Sequence, residues 1–556
     1  MISAKGQPMN CQNRTLRTLL LAAALLALAV PSQAQAAAPA PAPAPTAAPA
    51  PAPSGDALAP SGHGASEAPK SPVQFPTYVV WLVGAILVGV YLIISFEIWH
   101  RTLAALTGGS LILAVTYIGG YFSPNLRILD FDGAMGAIDW NVIFLLFGMM
   151  IVVGILKETG LFQWCAYKAF QLAKGKTFRM AALFMILTAV VSANLDNVTT
   201  MLLVAPVSIE VCRVLGIRPL ALLIPETLAS NIGGTATLIG DPPNIMIGSH
   251  AGLTYVDFIV NLAPCICIVM VAHLLQMRWV YRKEYAKQIP LGEIPAMIER
   301  LRKEYGITNQ ALLNWGGIVL GFVILLFFLH GTLKMPVAVP ALGGAAVLLI
   351  FRDRIEMKRR RAEREGVTPV EKSHGILHIL EKEIEWPTLV FFMFLFVVVR
   401  AADRVGLIEM IAMQVQTLSG GDLVKAMILT LWISAIASAF IDNIPFVATM
   451  MPLLDSLIKQ NPQWGGESQI LWWALALGAC LGGNGTVIGA SANVVTAGLA
   501  EKAKCPLTFW EFMKVGFPAM IVEVLICMGW LLWIDPLISP LLRHAAPAAV
   551  PGAGTP

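Results

Sequence analysis

The sequence predicts an all-α polytopic membrane protein made of two inverted repeats, each with a re-entrant helical hairpin and a broken transmembrane helix. Three observations carry that expectation. Hydrophobic residues make up 57% of the 556-residue chain and charged residues 13%, against about 25% charged in soluble domains. Apolar runs long enough to cross about 30 Å of hydrocarbon recur along it. Two long stretches, one in each half, also repeat each other. The small net charge of +4 gives no sign of a nucleic-acid partner.

Residues 1–36 read as a secretory signal: Arg14 and Arg17, then LLLAAALLALAV, then Ala34-Gln35-Ala36 supply its charged, apolar and small-residue parts. Residues 37–74 are rich in Pro and Ala, which favours extended, solvated chain and suggests a periplasmic tether. Repeat 1 with its preceding helices is expected over 75–280, basic cytoplasmic loops flanking two transmembrane helices over 281–385, repeat 2 over 386–536, and a tail over 537–556.

Spanning runs are expected near 78–96, 102–120, 141–156, 256–277, 312–330, 335–351, 387–400 and 513–534. Four further regions are apolar but interrupted by polar, Gly-rich clusters: 180–212 and 219–249, then 424–458 and 469–500. If 180–212 and 424–458 return to their own side and the other two cross, Lys and Arg concentrate after 96, 156, 212, 277, 351 and 500. That asymmetry orients the chain in a bacterial inner membrane with tether and C-terminus periplasmic. The run MKRRRAEREG (357–366) sets topology or touches anionic membrane lipid.

The halves match at a spacing of 246 residues: Trp140 with Trp386, Gly160 with Gly406, Ser192 with Ser438, Asp196 with Asp442, Asn197 with Asn443. Farther on the spacing becomes 249, pairing GGTATLIGDPPN (233–244) with GGNGTVIGASAN (482–493). An odd number of crossings between the copies makes them inverted, the arrangement of secondary transporters.

The polar clusters supply the candidate ion- or substrate-binding residues. Hairpin tips leave helix ends unpaired, which only a cavity tolerates, and there lie Ser192, Asn194, Asp196 and Asn197, then Ser438, Asp442 and Asn443. The broken helices add Asn231, Gly234, Thr235, Asp241 and Asn244, then Gly483, Asn484, Thr486, Ser491 and Asn493. Glycines there allow unwound backbone, whose carbonyls can hold Na⁺, and half-helix N-termini can hold an anion. The two serines alternatively bond back to their own helices.

Neither hairpin motif holds a Lys or Arg, so Asp196 and Asp442 are expected to be protonated, hydrated or cation-bound. Asp241 faces Ala490 across the repeat and Glu226 faces Leu475, so both break the symmetry. Glu226 is a proton-relay candidate, or a buried acid bonded to backbone freed by Pro225. No resident metal or cofactor is expected. The eight cysteines show no disulfide or zinc spacing, and no phosphate-binding GxxxxGK[ST] occurs.

SANLDNVTTMLLVAPVSIEVC, SNIGGTATLIGDPPNIMIGS, SAFIDNIPFVATMMP and ALGACLGGNGTVIGASANVV resemble signature regions of the ion-transporter superfamily. The branch is that of arsenite permeases, NhaD-type sodium/proton antiporters and the melanosomal P protein, and the likeness is nearest to bacterial, citrate-transporter-like relatives of the last. It covers roughly 75–535. The resemblance implies an elevator-type fold, a homodimeric scaffold, and ion-site roles for Ser192, Asp196, Asn197, Ser438, Asp442 and Asn443. In related dicarboxylate symporters the tips read Ser-Asn-Thr; Asp-Asn here favours cation or proton coupling. The leading expectation is Na⁺/H⁺ antiport rather than enzyme catalysis. Arsenite or antimonite efflux, or ion-coupled transport of an anion such as citrate or chloride, is the alternative; a channel or membrane sensor is a different class.

Overall fold

The computed structural model describes residues 75–96, 98–287, 307–364 and 378–534, all within the unit Ser71–Pro556. The expected signal segment, tether and C-terminal tail, and much of the basic loops including His374, lie outside the described residues. Those described form helices and short connections, and contain no strand.

Two long helices, α1 (Thr77–Ser95) and α2 (Arg101–Ala114), and shorter helical turns up to Gly136 precede the first repeat. Repeat 1 runs α3 (Trp140–Glu158), α4 (Leu161–Ala173), α5 (Thr177–Ser192), α6 (Asn197–Leu215), α7 (Leu220–Thr235), α8 (Pro242–Ala251), α9 (Tyr255–Asn261) and α10 (Ala263–Val280). Helices α11 (Gln310–Leu329) and α12 (Ala338–Arg364) stand between the repeats. Repeat 2 runs α13 (Trp386–Arg404), α14 (Leu407–Ser419), α15 (Leu423–Phe440), α16 (Asn443–Gln460), α17 (Ile470–Gly482), α18 (Ser491–Lys502) and α19 (Phe509–Gly529).

Among the described residues, eight helical segments are long and apolar enough to cross a membrane. Two expected spans need correction. The run 256–277 is divided into α9 and α10, with Pro264 in the first turn of α10, where its missing N–H costs nothing. The run 335–351 does not end in a loop: α12 continues to Arg364, because RDRIEMKRRRAER is made largely of good helix formers. Arg352 in that extension makes a two-pronged bond to Glu158 of α3, at 2.8 and 2.9 Å.

The repeats match in backbone detail. Gly160 and Gly406 join α3 to α4 and α13 to α14 in left-handed conformations, φ 78° and 81°, which L side chains avoid. Close packing recurs as well: a methyl on Gly233 would sit 2.1 Å from the Ala189 carbonyl oxygen, and one on Gly482 2.5 Å from that of Ala435. Each first half-helix therefore lies against its own hairpin, α7 on α5 and α17 on α15. The second half-helices cross over: α8 packs on α16 and α18 on α6. This exchange places both breaks and both hairpin turns around one point.

Candidate ion-binding site

Four helices begin at one small cavity. Asn197, Pro242, Asn443 and Ser491 are the first residues of α6, α8, α16 and α18, and all line an enclosed space of about 20 Å³. The starts of α6, α16 and α18 present backbone N–H groups and about half a positive charge each; α8 opens on Pro242-Pro243, which carry no N–H, and its next two N–H groups bond the Asp241 carbonyl. Carboxylates answer them. Asp196, Asp241 and Glu385 line the same space, and Arg101 is the cation among its lining residues.

Asp196 and Asp442 are the N-caps of α6 and α16, a role for which Asp is among the preferred residues. Asp196 Oδ1 accepts from the Thr199 N–H at 2.9 Å and its Oδ2 from the Thr199 hydroxyl at 2.5 Å. Asp442 Oδ1 accepts from the Ile444 N–H at 3.1 Å and its Oδ2 from the Ser491 hydroxyl at 3.2 Å. The expectation that neither aspartate has a basic neighbour is wrong for Asp442. Arg101, the first residue of α2, comes within 3.6 Å of Asp442 Oδ2. Its guanidinium also donates to the Ser491 hydroxyl and, at 2.9 Å, to Thr388. Looking only inside the repeats missed it, because α2 precedes both.

Asp241 is the least satisfied acid in the cavity. It is 1% exposed, its Oδ2 accepts from Asn443 at a long 3.4 Å, and its Oδ1 accepts no hydrogen bond. The Cys480 thiol stands beside Asp241 and also lies 3.5 Å from the Asn244 Oδ1. Glu385, one residue before α13, accepts from Thr388 at 3.0 Å. Its partner by repeat spacing is Asp139, which caps α3. That pairing was present in the sequence as a signal for Glu385.

The remaining candidates mainly shape the backbone. Asn244 Nδ2 donates to the carbonyls of Thr235 and Thr237 at 3.1 and 2.9 Å, and Asn493 Nδ2 to those of Gly483 and Thr486 at 2.7 and 2.8 Å. Gly234 contributes a further carbonyl to Asn244 at 3.4 Å. The unwound carbonyls expected to face Na⁺ are thus held by the protein's own amides. Thr237 and Thr486 tie each break to its hairpin through the carbonyls of Ala193 and Ala439. Ser438 donates to the Ala479 carbonyl at 2.6 Å and Ser192 accepts from Ser230 at 3.1 Å; each reaches the facing half-helix.

Asn231 is central: its Nδ2 donates to Asn484 and Asn493 at 2.9 and 3.0 Å, while its Oδ1 accepts from Asn197 at 3.1 Å. Asn194 bonds back to Val190 of its own helix at 3.0 Å. Glu226 lies apart from the cavity lining, accepting from Ser208 at 2.9 Å. Among the described residues no group of three or more His, Cys, Asp or Glu is placed to hold a metal.

A family model described as a citrate transporter, CitMHS, matches residues 91–478. The P protein of Homo sapiens is 37% identical over 526 residues, covering 82% of this chain; the chain spans 60% of that protein's length. An uncharacterized transporter of Mycobacterium tuberculosis, Rv2684, is 38% identical over 455 residues, covering 81% of this chain and 97% of its own. The crystal structure of the Alcanivorax borkumensis YdaH transporter shares the fold, with a TM-score of 0.54 at 15% identity, over 79% of this chain and 98% of that one. With helices of membrane-spanning length throughout, this chain is a multi-pass membrane transporter and belongs to the citrate transporter family.

Proposed function

We propose that the protein is a secondary carrier exchanging a small cation, Na⁺ first among candidates, for protons at the cavity between the two hairpin turns. The observation that carries this reading is Asp241, buried with one carboxylate oxygen accepting no hydrogen bond. A carboxylate so placed is stabilised by a proton or by a metal cation, and one occupant excludes the other. The surrounding space of about 20 Å³ accommodates roughly one water-sized particle. Asp196 and Glu385 add negative charge to the same cavity, and Arg101, which serves Asp442, also reaches Glu385 through Thr388. Movement of the hairpins and half-helices against a homodimeric scaffold, exposing the cavity to alternate faces, belongs to the same reading.

A second reading has its own support. The starts of α6, α16 and α18 together with Arg101 favour an anion, and the family's name is that of a citrate transporter. A wider cavity of about 370 Å³ elsewhere in the fold is lined by both signs of charge, with His250, Arg400 and Arg404 beside Asp139 and Asp403. Under this reading the carboxylates supply the coupling to cations or protons.

Flux into proteoliposomes separates the two. With Na⁺, Li⁺, citrate, chloride and arsenite offered singly under an imposed pH gradient, the exchange reading predicts proton movement with Na⁺ or Li⁺ alone, lost in Asp241→Asn. Citrate- or chloride-dependent flux that survives Asp241→Asn would replace it with the anion reading. Conductance beyond carrier turnover would indicate a channel instead.

A further inference from the structure

Glu523 of α19 and His273 of α10 are each 1% exposed, and His273 Nδ1 stands 3.7 Å from Glu523 Oε1. The opposite ring nitrogen, Nε2, lies 3.0 Å from the Pro225 carbonyl of α7. A carbonyl only accepts, so Nε2 carries the hydrogen. In the neutral ring Nδ1 is then an acceptor, and so is a carboxylate oxygen. Both facing atoms are buried without a hydrogen-bond partner. Two acceptors thus confront each other across a gap that one proton, carried by either, would bridge.

We propose that Glu523 and His273 form a proton-binding site that takes one proton as a unit and reports its occupancy to the hairpin turn of repeat 1. The reporting route is a chain of amides. Glu523 Oε2 accepts from Asn484 Nδ2 at 2.8 Å, which turns Asn484 Oδ1 toward Asn231 Nδ2 at 2.9 Å. Asn231 Oδ1 then accepts from Asn197 Nδ2 at 3.1 Å, beside Asp196. Amides do not titrate, so the chain passes orientation and bond strength, not the proton. A charged Glu523 holds Asn484 more tightly than a neutral one, and Asn197 lines the cavity.

Of the other titratable groups on the surrounding helices, Glu226 of α7, next to Pro225, accepts from Ser208 through Oε1 and is buried with no hydrogen bond to Oε2; the rest are engaged elsewhere or lie toward helix ends. Cys265 and Cys527 face each other at 3.7 Å; Cys480 of α17 donates to Asn244; Asp257 of α9 bonds Thr254. Arg278 lies over the Phe178 ring, Tyr285 donates to the Ala221 carbonyl, Glu284 pairs with Lys287 and Glu511 with Arg218. Arg282 and Lys283 follow the end of α10, and Arg179, Lys425 and Lys514 stand near the starts of α5, α15 and α19.

The transport consequence rests on the exchange reading, while the proton site stands on its own geometry. The test follows His273 by ¹⁵N-histidine NMR on the full chain in lipid bilayers across pH, its signal assigned by loss in His273→Gln. In the wild type Nδ1 gains or shares a proton in one step. Glu523→Gln offers an N–H to Nδ1 and an oxygen to Asn484, copying the loaded state; His273 should then stay a neutral Nε2–H ring, and the pH dependence of flux should flatten at least about tenfold. Glu523→Asp should restore a titration step. An unaltered His273 titration in Glu523→Gln, or none in the wild type, overturns the proposal. Titration in the wild type with pH-independent flux upholds the proton site and overturns the exchange reading instead.

Discussion

The two repeats use one backbone device and two different sets of charges. In each, an Asn at the start of the second half-helix gathers the carbonyls of the break, a Thr ties the break to its hairpin, and an Asp caps the hairpin's second helix. At the same point in the break, repeat 1 has Asp241 and repeat 2 has Ala490. Arg101 comes from outside both and binds at the second pole. Repeat 1 thus keeps a carboxyl group with an oxygen that accepts no hydrogen bond, while the Asp442 carboxylate of repeat 2 is answered by Arg101. Symmetry builds the cavity, and the asymmetric residues make its two poles different.

Substitutions that move charge between the poles probe that difference most severely. Asp241→Asn should reduce cation-driven proton flux in proteoliposomes by about a hundredfold or more, a loss on the order of 3 kcal/mol. Adding Ala490→Asp should not restore it, because the new carboxylate falls beside Arg101; recovery in the double variant would show that the poles are interchangeable.

Removing Arg101 comes next. Arg101→Met strands Asp442, and loss of one partner from a buried pair costs about 3–5 kcal/mol. Thermal unfolding in detergent should show a large drop in Tm that Arg101→Met with Asp442→Asn largely reverses. A double variant no better than the single would mean that Arg101 acts through Ser491 and Thr388.

Backbone contacts should respond less. Gly233→Ala and Gly482→Ala each force a methyl against a facing carbonyl, with overpacking of about 1–3 kcal/mol. The tighter approach, 2.1 Å against 2.5 Å, predicts the larger loss of Tm in repeat 1; equal tolerance at both would undo the claim that the half-helices are locked to their hairpins. Arg352→Met lies outside both poles; it removes a buried side chain's two-pronged bond to Glu158 and should cost about 1.5–3 kcal/mol, with flux unaltered.

The helical class and the hairpin and break boundaries could be read in the sequence because composition and motif repetition express them locally. Asp196-Asn197 and Asp442-Asn443 mark helix starts for the same reason. Arg101 could not be recognised that way: it lies outside the repeated motifs and reaches the cavity only through packing of α2, whereas Glu385 carries a signal in its repeat spacing to Asp139. The pairing of His273 with Glu523 has no sequence signal either, being a contact between two ordinary apolar helices. The break carbonyls bond asparagine amides of the protein itself, a structural role that the same asparagines do not reveal in sequence, where they look like ligands.

The account turns on competition between a proton and a cation at Asp241. Equilibrium binding of radioactive Na⁺ to the purified protein, with proton release recorded in weak buffer, measures it directly. The account predicts Na⁺ binding that weakens as pH falls and releases protons, both abolished by Asp241→Asn and retained in Asp442→Asn with Arg101→Met. Na⁺ binding and proton release that persist undiminished in Asp241→Asn would contradict it.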